Sequence, residues 1–252
     1  AIDILDRMRT VSATMNSLQS AETGSLSVAA MPGPSAYIFP SFISENVKSD
    51  AGFQTTISSR SSSQIRELAN TQSIDFGFAD FDTPLGREPR YTSEIVSTTC
   101  FCAIQRNDPQ AKKDKISIAD LDDKSIGTLH GDHPLSRRLA QAFQNEGATL
   151  RSNIAGQFFL PLIPFISLGH CCSIVDPLTV VTERELNLSK GKVVFIPFDA
   201  AIRYEYATLT PAYRPASKLA TRVKNSWMTS LFGMLEGLNA RPALHETSSC
   251  IE

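Results

Sequence analysis

Ile4, Met8, Val11, Met15 and Leu18 recur at alternating four- and three-residue intervals. That spacing predicts a helix with an apolar seam that pairs with another helix. So few heptads do not hold a coiled coil unaided, so neighbouring surfaces must contribute. The plainer alternative is an amphipathic helix folded back on its own domain. The pattern then changes. Residues 24–30 read as a strand, and 31–36, with Pro32, Gly33 and Pro34, as a sharp turn into a helix over 35–47. Residues 53–59 are β-rich, 62–69 helical, and 74–80 a third strand. This β-α-β-α-β order predicts a parallel sheet with helices on its faces.

From 81 to 90 the chain is rich in Pro, Gly and charge and reads as a loop. Residues 95–105 form a β-type run long enough to cross from one lobe to another. A second α/β set follows. It comprises a charged loop (112–115), a helical turn (116–121), a strand (125–129) and a helix (134–145), with Pro134 in the first turn and Gly147 past the end. Strands are expected at 150–154, 171–175, 193–197 and 204–210, the last as a return crossing. Leu219, Val223, Trp227, Leu231 and Leu235 mark one face of a helix over 215–238. The expected organisation is a linker or dimerisation helix (1–22), lobe I (23–99 and 207–238), lobe II (100–206) and a loosely ordered polar tail (239–252). Two such lobes make a hinged cleft, with ligand beyond the carboxyl ends of the strands.

Composition narrows the function. The chain has 252 residues, 42% hydrophobic and 20% charged, with a formal net charge of −2. A domain gripping nucleic acid directly would show a basic excess. The longest apolar stretch, 158–168, is short and holds Pro161 and Pro164, so no membrane span is expected. Cys100, Cys102, Cys171, Cys172 and Cys250 form an odd set without metal-ligand spacing. They read as small buried hydrophobes in a reducing, cytoplasmic setting.

In Gly24 to Pro34, Pro40-Ser41-Phe42, 74–80, Ile118-Ala119-Asp120-Leu121 and 169–177 the chain resembles the effector-binding part of LysR-type transcriptional regulators. The heptad helix resembles that family's dimerising linker helix. The resemblance implies two Rossmann-like lobes joined by two crossover strands (type 2 periplasmic-binding-protein-like), preceded by a linker helix. It implies a homodimer or homotetramer, a small-molecule effector, and promoter DNA bound through an N-terminal winged helix-turn-helix that these residues do not include. The turn at 29–32, the strand at 76–80 and Ile174-Val175-Asp176-Pro177 most resemble the regulators of octopine and nopaline catabolism. That implies an opine or another amino-acid-derived carboxylate. Gln157-Phe158-Phe159 departs from a more polar helix start and implies a more apolar pocket.

A carboxylate needs N–H or hydroxyl donors and a cation, which helix N-termini and Arg supply. Pro34, Ser35 and Ala36 at one predicted helix start, and Arg60, Ser61, Ser62 and Ser63 at another, are candidates. Simple N-capping is the structural alternative for the serines. An ammonium wants acidic partners, and Asp80, Asp82 and Asp176 stand at strand ends, although Asp176 before Pro177 also suits a cap. His130, Gly131 and Asp132, with His133, form a turn that could donate to a ligand; holding a metal is the minor alternative, because the spacing matches no recognised ligand pattern. Gln157 and Phe158 are expected to meet the aliphatic part of the effector, with core and helix-start packing as the alternative, and Phe101 is a further candidate ligand contact. No cofactor or metal is expected.

No GxSxG, HExxH, Walker A or GxGxxG motif is present, and Asp132 with His133 has no nucleophile at a recognisable spacing. The sequence therefore favours a ligand sensor over an enzyme. The competing reading is a periplasmic solute-binding protein of an importer, which the heptad helix and the unpaired cysteines disfavour. An acid dehydratase on the same scaffold would require a carboxylate base in the cleft.

Overall fold

The computed structural model describes residues 25–46, 54–82 and 89–247. The expected heptad helix lies outside them. The chain divides into two compact units, and it passes between them at 96/97, 204/205, 233/234 and 242/243.

Unit 1 is built on a six-stranded sheet. Its strands are β1 (Ser25–Ala30), β2 (Gln54–Ser59), β3 (Phe76–Asp80), β4 (Tyr91–Thr99), β10 (Arg203–Pro211) and β11 (Ala243–Thr247), in the order β11-β4-β10-β3-β1-β2. β1 runs parallel to β2 and β3, and β10 antiparallel to β3. Leu26, Val28, Ala29 and Ala30 of β1 are buried, as a strand covered on both faces requires. Helices α1 (Pro32–Ser35), α2 (Ile38–Asn46) and α3 (Ser62–Asn70) join these strands. Trp227 is fully buried on α7 (Lys218–Gly237) and packs edge-on against Phe39, Phe42 and Phe78, with ring centroids 4.8, 5.2 and 4.9 Å away. Val223, Leu231 and Leu235 of the predicted stripe are buried too, whereas Leu219 is half-buried.

Unit 2 holds the sheet β7-β6-β8-β5-β9: β5 (Phe101–Gln105), β6 (Ser125–Leu129), β7 (Arg151–Gly156), β8 (Cys172–Val175) and β9 (Val193–Pro197). β6 is parallel to β7 and β8, while β5 is antiparallel to β8 and β9. Its helices are α4 (Pro134–Asn145), α5 (Ile163–Ser167) and α6 (Pro177–Leu186).

Three expectations need correction. The run over 95–105 is two strands, broken at Cys100, and it begins earlier, at Tyr91. β4 pairs in one sheet and β5 in the other, and the break at Cys100 separates them. The helix expected over 35–47 is α1 and α2, separated by Ala36 and Tyr37. The stretch expected as a loose tail contains β11, hydrogen-bonded beside β4. Just before it, the Ala240 carbonyl accepts from Thr98 Oγ1 at 2.7 Å and from the Thr99 N–H at 2.9 Å. Backbone pairing of this kind needs no apolar side chains, so hydropathy does not reveal it.

Candidate functional site

The three parallel strands of unit 1 end together. The Met31 N–H, just past β1, donates to the Phe78 carbonyl at 2.9 Å. The Arg60 N–H, just past β2, donates to the Ala30 carbonyl at 3.1 Å. These bonds align the start of α1, the start of α3 and the end of β3 along one edge.

Hydroxyls gather on this edge. The Ser35 hydroxyl lies 2.8 Å from Ser59 Oγ and 3.0 Å from the Pro32 carbonyl. Ser61 is the N-cap of α3 in a reciprocal capping box. Its Oγ accepts from the Gln64 N–H at 3.3 Å, and Gln64 Oε1 accepts from the Ser61 N–H at 3.1 Å. Ser63 Oγ stands 3.0 Å from Ser61 Oγ. Ser62 Oγ donates to Asp80 Oδ2 at 2.9 Å and accepts from the Asp80 N–H at 3.0 Å. Arg66 donates to the Asp80 carbonyl at 3.2 Å, so the end of β3 is pinned to α3. The Arg60 guanidinium is exposed and donates to the Ser59 carbonyl at 2.8 Å. Pro34 is buried and Ala36 exposed, while Asp82 is half-buried just after β3.

This edge combines three kinds of group. The first turn of α3 leaves N–H groups without intrahelical partners and carries the positive end of the helix dipole. A guanidinium and several hydroxyls add charge-assisted donors, and Asp80 adds one carboxylate. Such a set suits a small anion that also carries a cationic centre. Ser59 escaped the sequence reading. The signal for it was present, because it is the last residue of the β-run that delivers Arg60.

The unit 2 candidates occupy several environments. His133 caps α4, its Nδ1 accepting from the Leu135 N–H at 3.2 Å, and its ring stacks on Tyr204 with centroids 6.3 Å apart. Nothing in the sequence marked Tyr204 as its neighbour. His130, Gly131 and Asp132 are exposed in the preceding turn, and the Asp132 carbonyl accepts from Arg137. Asp176 is buried as the N-cap of α6. Oδ1 accepts from the Leu178 and Thr179 N–H groups at 2.9 and 3.2 Å, and Oδ2 accepts from Thr179 Oγ1 at 2.5 Å. The capping alternative thus describes its geometry. Phe101 is buried within β5, between Val175 and Pro197, where packing accounts for it. Gln157 is exposed and Phe158 half-buried after β7. Among the described residues no group of three His, Cys, Asp or Glu side chains converges as a metal set, and no helix is long and apolar enough to cross a membrane.

Comparison with known proteins gives this arrangement a family. The LysR substrate binding domain family matches residues 19–226. No curated protein sequence matches the chain. Among solved structures, the regulatory domain of CcmR from Synechocystis PCC6803 in complex with 2-PG is similar at TM-score 0.66 and 16% identity, over 82% of this chain and 97% of that one. The effector binding domain of QuiR in complex with shikimate is similar at TM-score 0.61 and 13% identity, over 80% and 94%. Full-length CbnR complexed with its target DNA is similar at TM-score 0.64 and 14% identity, over 87% and 75%. At these identities the structural likeness speaks for the fold, that of two mixed α/β sheets of the type 2 periplasmic-binding-protein-like class. With most of its length matched, the chain belongs to the LysR substrate-binding domain family, and it is the effector-binding domain of a LysR-type transcriptional regulator.

Proposed function

We propose that the effector of this regulator is a small carboxylate, an opine or another amino-acid-derived metabolite, and that its carboxylate is taken by the unit 1 edge. The observation that carries the reading is the convergence of Ser35, Ser59, Arg60 and Ser61 at the ends of parallel strands, beside the start of α3. Asp80, steadied by Ser62, stands next to these donors and supplies the counterpart for an ammonium. An opine carries both charges, a carboxylate and a secondary ammonium bonded to the same carbon. The resemblance to octopine and nopaline regulators points to the same ligand class. Complexes of CcmR with 2-PG and of QuiR with shikimate support a small-molecule effector more generally.

In unit 2, the His130–Asp132 turn, Gln157 and Phe158 are proposed as further effector contacts. Asp176 and Phe101 serve the fold in this reading. The protein is no enzyme: it converts occupancy into a change of promoter binding. In the intact regulator a winged helix-turn-helix would hold the DNA, and pairing through the heptad helix would make a homodimer or homotetramer.

Titration calorimetry with opines, free amino acids and aromatic acids tests the assignment. An opine is expected to bind, and Arg60→Ala to weaken it on the order of tenfold, the size of one charge-assisted hydrogen bond at a partly exposed site. Binding unaffected by Arg60→Ala would remove the carboxylate from this edge.

A further inference from the structure

The opposite end of the unit 2 sheet from the carboxyl ends of β6, β7 and β8 carries a surface of another kind. There the carboxyl end of β5 meets the amino ends of β6, β8 and β9, because β5 runs antiparallel to β8 and β9 while β6 runs parallel to β8. The turn that leads from α6 into β9 is built around a buried carboxylate. Glu183 accepts from the Leu188 and Ser189 N–H groups, each at 3.0 Å, and from the Ser189 hydroxyl. Asn187, Lys190 and Gly191 take positive φ values of 48°, 53° and 74°. The first two are side-chain-bearing residues in the left-handed region, a cost that surrounding bonds must offset. The Glu183 bonds hold the turn in this shape.

Three cations surround this turn. Arg106, one residue past β5, donates its backbone N–H to the Lys192 carbonyl at 2.7 Å and its Nε–H to the Gly191 carbonyl. Its guanidinium therefore lies against a glycine flanked on both sides by lysine, and Arg106, Lys190 and Lys192 are all exposed. Among the described residues none of the three is in an ion pair, whereas Lys113, Lys115, Lys124 and Arg151 of the same unit are. Apolar side chains stand beside them. Leu188, in the turn, is 48% exposed, and Leu168 is 62% exposed. Gln105, the residue before Arg106, brings Leu168 alongside by donating from Nε2 to the Ser167 carbonyl at 3.3 Å. Gln105, Gly169 and His170 also line a cavity of about 230 Å³. Its other walls include Asp108 and Lys124, which pair at 2.8 Å, so the cavity sets no uncompensated carboxylate beside the cations.

We propose that this end of unit 2 is a docking surface for an acidic segment of a partner protein. Carboxylates of the segment sit over Arg106, Lys190 and Lys192, an apolar side chain packs on Leu168, and one side chain enters the cavity. Charge complementarity of this kind gives orientation and a fast encounter, and an anchor in a pocket slows release. A turn already held in shape loses little freedom on binding. The exposed leucines favour protein over nucleic acid, because phosphates gain nothing from apolar surface and three cations displace few counterions. The surface gives the regulator a place to pass its state to another protein, at the far end of the sheet from the unit 2 effector candidates.

The test uses the full chain and a fluorescein-labelled synthetic peptide of glutamate and leucine, read by anisotropy. The same peptide with glutamine in place of glutamate, and a labelled duplex DNA, serve as comparisons. The acidic peptide is expected to bind, to weaken as salt is added, and to shift the backbone amide NMR signals of residues 105–106, 168–170 and 188–192. The glutamine peptide should bind at least about tenfold more weakly. Lys190→Glu combined with Lys192→Glu should weaken the acidic peptide by about tenfold or more, while melting followed by circular dichroism stays unchanged. The same variant should take up a peptide of lysine and leucine instead. Leu168→Ser should weaken the acidic peptide roughly threefold without altering its salt dependence. An acidic peptide that fails to bind, or that binds the charge-reversed chain as well as the unaltered one, would overturn the proposal. So would amide shifts confined to other surfaces. Duplex DNA held at this turn more tightly than the peptide, or self-association that the charge reversal abolishes, would overturn it in favour of nucleic acid or a second copy of the chain.

Discussion

Gly77 has no room for a side chain. A Cβ there would lie 2.3 Å from Ile65 Cγ2 and 3.1 Å from Ile74 Cδ1, where α3 presses on β3. Gly77→Ala is therefore expected to destabilise unit 1 by roughly 1–3 kcal/mol, the usual cost of overpacking, measurable by urea unfolding through the single tryptophan. A second residue-scale commitment is the buried Asp75–Arg214 pair, 2.5 Å apart, with the Ser27 N–H donating to Asp75 at 2.7 Å. Burial pushes the Asp75 carboxyl up against the opposing pull of Ser27 and Arg214. Arg214→Met would leave that group unpaired and should cost about 3–5 kcal/mol in the same assay. These two cases show where sequence reading stops. The Ser61 cap was legible because its partner Gln64 is three residues away. The Asp75–Arg214 pair joins residues 139 positions apart, and no local pattern announces it.

Elements with strong internal logic were legible. The α4 helix matched its Pro134 and Gly147 punctuation, with Gly147 at φ 69° as a helix terminator requires. The short α6 was announced by Asp176-Pro177, a cap followed by the residue that suits the first helical position. What escaped were features set by pairing: the break at Cys100 and the β11 strand. The turn at 117–121 offers a test at this scale. Lys113 donates to Asp120, and the Ser117 N–H and hydroxyl, each 3.0 Å away, add to it. Together they hold the Asp120 carboxyl below its ordinary value of 3.8, against a small burial effect. A group depressed in the folded state stabilises above its unfolded pKa and loses that contribution as pH falls through the folded value. Carbon-detected NMR titration should place Asp120 below the reference. Asp120→Asn should flatten the acid limb of stability below about pH 4.

At the scale of the whole molecule, a chain with almost balanced charge passes back and forth between two α/β units. Such a body has little means of holding DNA by itself, which fits a domain whose input is a metabolite. An effector can act only through unequal affinity for the regulator's alternative states. Its binding also stabilises the fold by about 2.7 kcal/mol at a hundredfold excess over Kd. The proposed site makes a demand that apolar packing would not: in that reading the ligand carries a negative charge where Ser35, Ser59 and Arg60 meet. The most direct measurement is therefore calorimetric titration of this domain with an opine and with the same opine converted to its carboxamide, each against the unaltered chain and Arg60→Ala. The acid should bind the unaltered chain at least about tenfold more tightly than the amide does, and Arg60→Ala should erase most of that difference. An amide that binds as well as the acid, or an acid preference that persists without Arg60, would contradict the account.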